Sequence, residues 1–414
     1  MISGEILMLA HRIPFPPDRG DKIRSHHILK KLVRMAPVHV ACFADTDADL
    51  AEEVELAAVA HSYRLIRRAK SLFTAGAQAL LMHRPVSLTA FHDPGLADYV
   101  KRLLATGRVR TIYVFSGQMA QYVPADFTGR LVIDFVDVDS AKFEAYAARH
   151  RGPMGWLYAR EARLLSAEEQ RQAARADAVL LVSHAEADLF ASRMPPGAAT
   201  QVRVLGNGVD ADAYDPAQQF AATPMAGHGA PRLIFTGQMD YPPNIEAAMR
   251  MARRIMPLVR AQCPEASFHV VGRQAGEKVL ALDGLHGTKV WGEVADIRPW
   301  LRAADMAVVP LDIARGVQNK VLEAMAMGLP VVASHAAATG INAIAGHHFM
   351  VADNDTAIAA AVVSLAHDPH LMFRMGQEGR RFVIEHQGWQ RVLAPLAGLL
   401  SSAPPPPREP RAGA

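Results

Sequence analysis

The chain has 414 residues, half of them hydrophobic, and a formal net charge of +3 at neutral pH. This length exceeds what one hydrophobic core usually serves, so we expect two domains of roughly 200 residues each. The two cysteines, Cys42 and Cys263, are far apart and lack neighbouring ligands, which argues against a disulfide framework or a zinc cluster and favours a reducing cytoplasm. No apolar run approaches the roughly 20 residues of a membrane-spanning helix, and the opening segment does not resemble a signal peptide.

Basic residues are concentrated in the first half of the chain. One group falls within residues 12–34, and a second, within residues 64–70, precedes the apolar segment 72–82. Such stretches can lie on anionic lipid, or they can be ordinary solvated helix faces. Nucleic acid is not an expected partner, because no aromatic-rich or recognised binding motif accompanies the basic residues.

Short β-branched runs alternate with helical patterns, which predicts parallel sheets covered by helices on both faces. The first set of strands is predicted at residues 5–10, 38–43, 111–115, 131–135, 178–183 and 202–205. After a polar stretch at 216–231, a second set is predicted at 232–236, 267–271, 289–291, 306–310 and 329–333, with helices between them such as 244–256 and 317–327. We therefore expect an α/β fold of two doubly wound Rossmann-like domains, whose ligands bind at the carboxyl ends of the strands.

The loop at residues 14–24, PFPPDRGDKIR, joins the first predicted strand to a helix. Gly20 would let the backbone approach a ligand closely, and Asp21, Lys22 and Arg24 would then be candidates to grip an acceptor. The loop lacks the three glycines of a dinucleotide fingerprint, and an ordinary strand-to-helix turn explains it equally well.

The segment 134–142, DFVDVDSAK, places two carboxylates after a predicted strand. Asp137 and Asp139 lie where acceptor contacts or a polar catalytic group are expected. A metal site is disfavoured, because short carboxylates in this position more often cap the following helix. His184 also follows a strand and could be a catalytic base, although a histidine at a helix start is the simpler interpretation.

Two strand ends in the second half of the chain supply candidates for binding phosphate. Gly237-Gln238 and Gly272-Arg273 each follow a predicted strand. Arg273 and Arg315 are the natural phosphate partners, although each could equally be a surface arginine.

The segment 316–334, GVQNKVLEAMAMGLPVVAS, carries the clearest functional pattern. Asn319 is predicted as the N-cap of a helix on which Lys320 and Glu323 share one face. A helix start attracts phosphate, and a carboxylate accepts hydrogen bonds from ribose hydroxyls. The pattern therefore fits a nucleotide sugar with Gly316 and Asn319 beside it, although most helical glutamates merely solvate a surface.

Several motifs, in this order, resemble those of known glycosyltransferases. NGVD at 207–210, FTGQMDYPPN at 235–244, VVGR at 270–273 and LEAMAMGLPVVAS at 322–334 look like the donor domain of family 4 glycosyltransferases. PFPPDRGDKIR, DFVDVDSAKFEAYA, YAREARLLSAEE and the 316–334 segment resemble the sugar transferases associated with PEP-CTERM/exosortase systems in bacterial exopolysaccharide loci. The resemblance covers essentially the whole chain except its tail.

The resemblance implies a GT-B fold, with two facing domains and a ligand cleft between them. We expect an acceptor-side domain over 1–205, a donor domain over 206–402 whose terminal helices pack back toward the first, and a disordered Pro-rich tail over 403–414. It also implies a nucleotide-sugar donor, retention of anomeric configuration, and no cofactor or metal. The expected acceptor is a glycan or a lipid-linked glycan, and the expected location is the cytoplasm, with peripheral contact to the anionic inner membrane.

This chain departs from the family at the donor site. The family helix carries two glutamates with seven residues between them; Glu323 is the later one, expected on the ribose hydroxyls, and Arg315 occupies the earlier position. Gln238 replaces an arginine that many members use for the diphosphate, and a nearby lysine is also missing. Lys320, Arg315 and Arg273 are the expected substitutes, which makes Lys320, Arg315 and Glu323 the predicted catalytic residues.

The sequence leaves three functions open. The first is a glycosyltransferase of the hexosyltransferase type that extends an exopolysaccharide precursor. The second is a nucleotide-sugar epimerase or hydrolase on the same fold. The third is a non-catalytic donor-binding scaffold, which the loss of the first motif glutamate keeps in consideration.

Overall fold

A computed structural model of the chain describes residues 4–197, 200–314 and 317–401. The chain divides into two compact units. The first comprises the residues up to Gly206 together with those from Leu393 onward, and the second comprises Asn207–Val392. The Pro-rich tail that the sequence predicts to be disordered lies outside the described residues.

The first unit is built on a seven-stranded sheet in which every pairing is parallel. Its strands, in the spatial order β3-β2-β1-β4-β5-β6-β7, are β1 Glu5–Ala10, β2 Val38–Ala44, β3 Ser62–Arg67, β4 Val109–Phe115, β5 Arg130–Val136, β6 Ala178–Leu181 and β7 Val202–Val204. The α-helices that precede residue 206 are α1 Gly20–Leu32, α2 Asp47–Ala51, α3 Glu53–Val59, α4 Leu72–Leu81, α5 Val86–Ala90, α6 Pro94–Ala105, α7 Asp139–Arg149, α8 Gly152–Ala173 and α9 His184–Ser192. A 3-10 turn covers Gly117–Tyr122.

The second unit has a six-stranded parallel sheet. Its strands, in the order β10-β9-β8-β11-β12-β13, are β8 Arg232–Thr236, β9 Ser267–Val271, β10 Thr288–Gly292, β11 Met306–Val309, β12 Val331–Ala333 and β13 Met350–Val351. The helices are α10 Pro242–Arg250, α11 Met256–Arg260, α12 Glu277–Leu280, α13 Arg298–Ala303, α14 Asn319–Ala326, α15 His335–Ala338, α16 Asp355–His367, α17 Pro369–Phe382 and α18 Trp389–Val392. The last helix, α19 Leu396–Ser401, belongs to the first unit, where Arg130 Nε donates to Leu399 O at 3.0 Å.

Burial explains why the strands lie where the sequence predicts them. All seven residues of β2 are buried, as are all five of β9, because helices cover both faces of a parallel sheet. Two edge strands were not predicted. The edge strand β3 is half-buried except for the exposed Arg64 and Arg67, which belong to the basic stretch 64–70, while β13 has two residues.

Local geometry departs from one of the predicted helices. The helix predicted over 244–256 is interrupted by a π-helical turn at Met251–Ile255, which joins α10 to α11. Cys42 and Cys263 are both free and buried. Within the described part of the chain, no helix is long and apolar enough to cross a membrane.

Candidate active site

Helix α14 of the second unit is amphipathic, and its polar face carries Lys320 and Glu323. Val321, Leu322 and the residues from Ala324 to Ala326 are buried, whereas Lys320 and Glu323 are half-buried. Residues three apart on a helix lie on the same side, so the ammonium and the carboxyl group are neighbours. The two groups that the sequence assigned to the donor therefore lie together at the start of this helix.

The start of α14 differs by one residue from the prediction. Gln318 occupies the N-cap position and its side chain makes no capping hydrogen bond. Asn319 is instead the first helical residue, and its Oδ1 accepts a hydrogen bond from Asn207 Nδ2 at 3.4 Å. The prediction that Asn319 caps the helix is therefore wrong, because its side chain contacts another segment of the second unit.

Lys320 is held by polar and aromatic contacts with the end of β8 and the start of α10. Its Nζ donates to Asn244 Oδ1 at 2.6 Å and lies 4.6 Å from the centre of the Phe235 ring. Asn244 in turn donates from Nδ2 to Gln238 O at 2.9 Å. Burial lowers the pKa of Lys320 to about 7, against the opposing attraction of Glu323. The ammonium is thus fixed in position but poorly solvated, which suits it to an anionic ligand.

The carboxyl group of Glu323 is perturbed in the complementary direction. Burial raises the pKa of Glu323 to about 7, while the Lys320 charge and the Tyr214 hydroxyl act to lower it. Burial, followed by the negative charge of Glu323, raises the pKa of Tyr214, so this phenol remains a hydrogen-bond donor. Perturbed titratable groups in contact are typical of functional sites.

Two glycines shape the backbone beside this pair. A Cβ atom on Gly272 would lie 1.7 Å from Gly237 O, so no larger residue fits without backbone movement. A Cβ atom on Gly237 would lie 3.0 Å from Lys320 Nζ and 2.9 Å from Asn244 Nδ2. The ends of β8 and β9 therefore pack tightly against each other beside Lys320 at the start of α14.

Two other predicted donor-binding residues, Gln238 and Arg273, take part in this region through their backbone carbonyls. Gln238 contributes its backbone carbonyl to Asn244, and Arg273 contributes its carbonyl to Met239 N at 2.8 Å. The Arg273 side chain is half-buried. Arg315 and Gly316 lie outside the described residues, so their predicted roles stay predictions.

Tyr214 and Asn244 were not chosen from the sequence. Asn244 is the last residue of the FTGQMDYPPN motif, and Tyr214 follows the NGVD motif by four residues. Their nearness to recognisable motifs was the only available signal, since their contacts with Lys320 and Glu323 join residues more than 70 positions apart.

The first unit holds Lys22 and Arg24 in its interior. Lys22 Nζ donates to Asp49 Oδ1 at 2.5 Å and to Phe15 O at 2.9 Å. Arg24, which is almost completely buried, lies 2.9 Å from Asp134 Oδ2 and donates to Gly206 O at 2.7 Å. These contacts correct the expectation that both cations grip an acceptor, because each neutralises a carboxylate inside the unit.

The remaining residues of the predicted acceptor loop lie nearer the surface. Gly20 is exposed and is the first residue of α1. Asp21 is half-buried, and its Oδ2 accepts from Arg12 Nη1 at 2.7 Å and lies 3.2 Å from His11 Nε2. Although burial acts to raise the pKa of Asp21, the hydrogen bond and charge of His11 and the charge of Arg12 hold it well below its usual range.

Asp137 directly follows β5, and its environment disfavours the ionised carboxylate. Its Oδ1 is buried without a hydrogen-bond partner among the described residues. Burial, and then the nearby charge of Glu186, raises its pKa to about 6. The residue before it, Val136, has a φ of 70°, which is strained for a β-branched side chain. Asp139 is the first residue of α7, and burial raises its pKa as well.

His11, at the carboxyl end of β1, was missed by sequence analysis. It is buried, its ring stacks on Phe115 with 5.7 Å between centroids, and its Nδ1 has no hydrogen-bond partner in the described structure. Ser116, after β4, has a φ of 75°. Because β1, β4 and β5 are neighbouring parallel strands, His11, Ser116 and Asp137, which follow them, lie at the carboxyl ends of adjacent strands. His184, by contrast, is exposed at the start of α9.

Comparison with known proteins shows that part of the second unit is similar to glycosyltransferases. Residues 230–368 match a family model described as "Glycosyl transferases group 1". A phosphatidyl-myo-inositol mannosyltransferase of Propionibacterium freudenreichii subsp. shermanii is 28% identical over 214 residues, which are 50% of this chain and 52% of that protein. The chain thus aligns with about half the length of this curated relative, and the resemblance of residues 230–368 to group 1 glycosyl transferases is confirmed.

Solved structures match nearly the whole chain at low identity. Anabaena HepE (Alr3699) in complex with UDP and glucose has a TM-score of 0.67 and 16% identity, covering 97% of this chain and 100% of that one. Sucrose-phosphate synthase of Thermosynechococcus elongatus has a TM-score of 0.65 and 18% identity, with 96% and 98% covered. The predicted fold of two Rossmann-like parallel-sheet domains, as in GT-B glycosyltransferases, is therefore confirmed.

Proposed function

We propose that the chain is a glycosyltransferase that moves a sugar from a uridine nucleotide sugar to a glycan or lipid-linked acceptor. The observation that carries this proposal is the pair of Lys320 and Glu323 on α14, packed beside the glycine-formed ends of β8 and β9. The match of residues 230–368 to group 1 glycosyl transferases supports it. HepE, which shares the fold, is described in complexes with UDP and with UDP-glucose, which favours uridine as the base.

In this proposal Lys320 balances the charge that develops on the diphosphate as the sugar departs. A preorganised cation in a poorly solvated site stabilises such charge without reorganising at the moment of reaction. Glu323 accepts hydrogen bonds from the ribose hydroxyls, and the Tyr214 hydroxyl orients its carboxylate. The glycines at 237 and 272 let the backbone approach the phosphates. Arg315 and Arg273 are proposed to add positive charge.

We propose that transfer retains the anomeric configuration and requires no metal ion, as the resemblance to family 4 implies. Lys320 takes the part that a divalent cation plays elsewhere, because it supplies a fixed positive charge at the leaving group. Excess chelator is therefore expected to leave the rate of sugar transfer unchanged.

The acceptor is proposed to contact the first unit at the carboxyl ends of its sheet's strands. Asp137 and His11 each offer a buried polar atom without a partner among the described residues, and an acceptor hydroxyl could satisfy both kinds of atom, since it donates and accepts. Asp21 and Asp139 lie at the starts of α1 and α7, which follow β1 and β5. Gly20 provides an exposed backbone approach.

The biological setting is also a proposal. The motif resemblance to PEP-CTERM/exosortase-associated transferases supports a role in exopolysaccharide biosynthesis on the cytoplasmic face of the inner membrane. The partial similarity to a phosphatidyl-myo-inositol mannosyltransferase supports an acceptor carried on lipid.

The test combines a binding screen with a turnover assay. Thermal unfolding is followed with UDP, GDP, ADP and CMP and their sugar conjugates, because a ligand that binds only the folded protein raises its apparent stability. We expect stabilisation by the uridine series, and release of UDP from one sugar conjugate only when membrane extract supplies an acceptor. Binding without release under any condition would favour the donor-binding scaffold, and release without acceptor would favour a hydrolase.

A further inference from the structure

Helix α4 of the first unit turns large apolar side chains toward solvent. Phe73 is 88% exposed and Leu81 is 82% exposed, and Leu80 and Met82 are exposed beside them. The ten residues of α4 contain no charged side chain. Single exposed apolar residues are ordinary on protein surfaces, but a cluster on one helix marks an interaction site.

The start of α8 extends this cluster. Trp156 is 59% exposed and Met154 is also exposed. Arg160, one turn after Trp156 on the same side of α8, donates from Nη2 to Ala79 O at 2.8 Å and from Nη1 to Arg84 O at 3.2 Å. These bonds fix α8 against the end of α4. We call the resulting surface the apolar face; it consists of Phe73, Leu80, Leu81, Met82, Met154 and Trp156.

The segments that form the apolar face carry positive charge only. Residues 69–92 and 145–160 contain no aspartate or glutamate. Arg149, the last residue of α7, and Arg151, directly before α8, are exposed, and neither makes an ion pair with a described residue. An apolar surface bordered by cations complements a layer of anionic headgroups over hydrocarbon.

Three of the four basic residues at 64–70 are engaged elsewhere. Arg67 Nε lies 3.2 Å from Asp47 Oδ1, and Arg68 Nε lies 2.6 Å from Asp45 Oδ1. Lys70 Nζ donates to two backbone carbonyls. The positive charge beside the start of α8 therefore comes from Arg149 and Arg151 rather than from Arg67, Arg68 or Lys70.

We propose that the apolar face docks the first unit on an anionic membrane surface. Phe73, Leu81 and Trp156 enter the boundary between headgroups and acyl chains, and Arg149 and Arg151 meet the headgroup phosphates. Partial insertion of a short helix lying in this boundary requires no membrane-spanning segment. The inference deepens the proposed function by naming the surface that meets a lipid-borne acceptor, and vesicle binding is measured without donor or acceptor, so the two can fail separately.

The apolar part is tested by co-sedimentation with vesicles of phosphatidylcholine alone or mixed equally with phosphatidylglycerol. We expect the wild-type chain to bind the mixed vesicles, and the combined change Phe73→Ser, Leu81→Ser and Trp156→Ser to reduce binding at least about tenfold. The control is Phe373→Ser, which removes an aromatic residue that is 70% exposed in the second unit. Because the changed side chains are exposed, thermal unfolding is expected to show intact folding.

The charged part is tested by Arg149→Gln with Arg151→Gln. We expect weaker binding to mixed vesicles and little change with phosphatidylcholine alone, whereas Lys101→Gln with Arg102→Gln, which removes the same charge from α6, has no effect.

Three results would overturn the proposal. The first is no binding of the wild-type chain to mixed vesicles. The second is equal binding by the wild-type chain and the triple variant. The third is a dimer in lipid-free buffer that the triple variant disperses, which would assign the apolar face to a second copy of the chain.

Discussion

The variant Lys320→Met distinguishes the effect of Lys320 on the stability of the fold from its effect on UDP binding. Burial lowers the pKa of Lys320 to about 7, and a displacement of that size corresponds to on the order of 4 to 5 kcal/mol for a fully buried cation. Lys320 is half-buried, so we take roughly 2 kcal/mol as the cost that Lys320→Met relieves. The same change leaves Asn244 Oδ1 without its donor, which costs about 1 to 3 kcal/mol.

These opposing terms predict that Lys320→Met changes the free energy of unfolding by less than about 1 kcal/mol. Loss of a charged hydrogen bond to phosphate should nevertheless weaken UDP binding about 10- to 150-fold. Urea unfolding and calorimetric titration with UDP measure the two quantities, with Lys278→Met, an exposed lysine of α12, as the control. Destabilisation above about 3 kcal/mol with unchanged UDP affinity would identify Lys320 as a structural residue and refute the reasoning.

Three further outcomes follow from the same geometry. Burial lowers the pKa of Lys320 to about 7 and a bound diphosphate should raise it again, so UDP binding at pH 8 should take up protons. The uptake is measured by calorimetry in buffers of different ionisation enthalpy, and equal uptake by Lys320→Met would contradict this. Gly272→Ala should abolish UDP binding and destabilise the fold by about 1 to 3 kcal/mol, because its Cβ meets Gly237 O, while Gly276→Ala, with open space around it, should do neither. Asp137→Asn should stabilise the protein by about 1 kcal/mol at pH 8 and less at pH 4.5, since a raised pKa penalises the ionised carboxylate above about pH 6. The same variant should lose transfer while keeping UDP affinity, and destabilisation at pH 8 would instead show a structural carboxylate.

Much of the fold could be predicted because its strands are continuous apolar runs. β8 and β9 were predicted with their observed bounds, since strands buried on both faces leave an unmistakable hydrophobic pattern. β3 was missed because an edge strand that is only half-buried and exposes Arg64 and Arg67 reads as a basic stretch. β13 has two residues, too few for any pattern.

The roles of charged residues were harder to predict, because partners far apart in sequence decide them. Lys22 is neutralised by Asp49, 27 positions away, and Arg24 by Asp134, 110 positions away. Nothing local distinguishes these lysine and arginine residues from surface cations. The neighbourhood of Lys320 and Glu323 was predictable from helix periodicity, whereas the contribution of Asn244 depends on how α10 packs near α14.

Calorimetric titration of UDP into the Glu323→Ala variant tests most directly whether the second unit holds the donor at α14. We expect folding to be preserved and UDP affinity to fall at least about tenfold, because hydrogen bonds to a carboxylate contribute about 1.5 to 3 kcal/mol each. Glu246→Ala, an exposed glutamate of α10, should bind UDP as the wild type does. If Glu323→Ala binds UDP with unchanged affinity, the nucleotide does not lie on Glu323 and the placement of the donor site is contradicted.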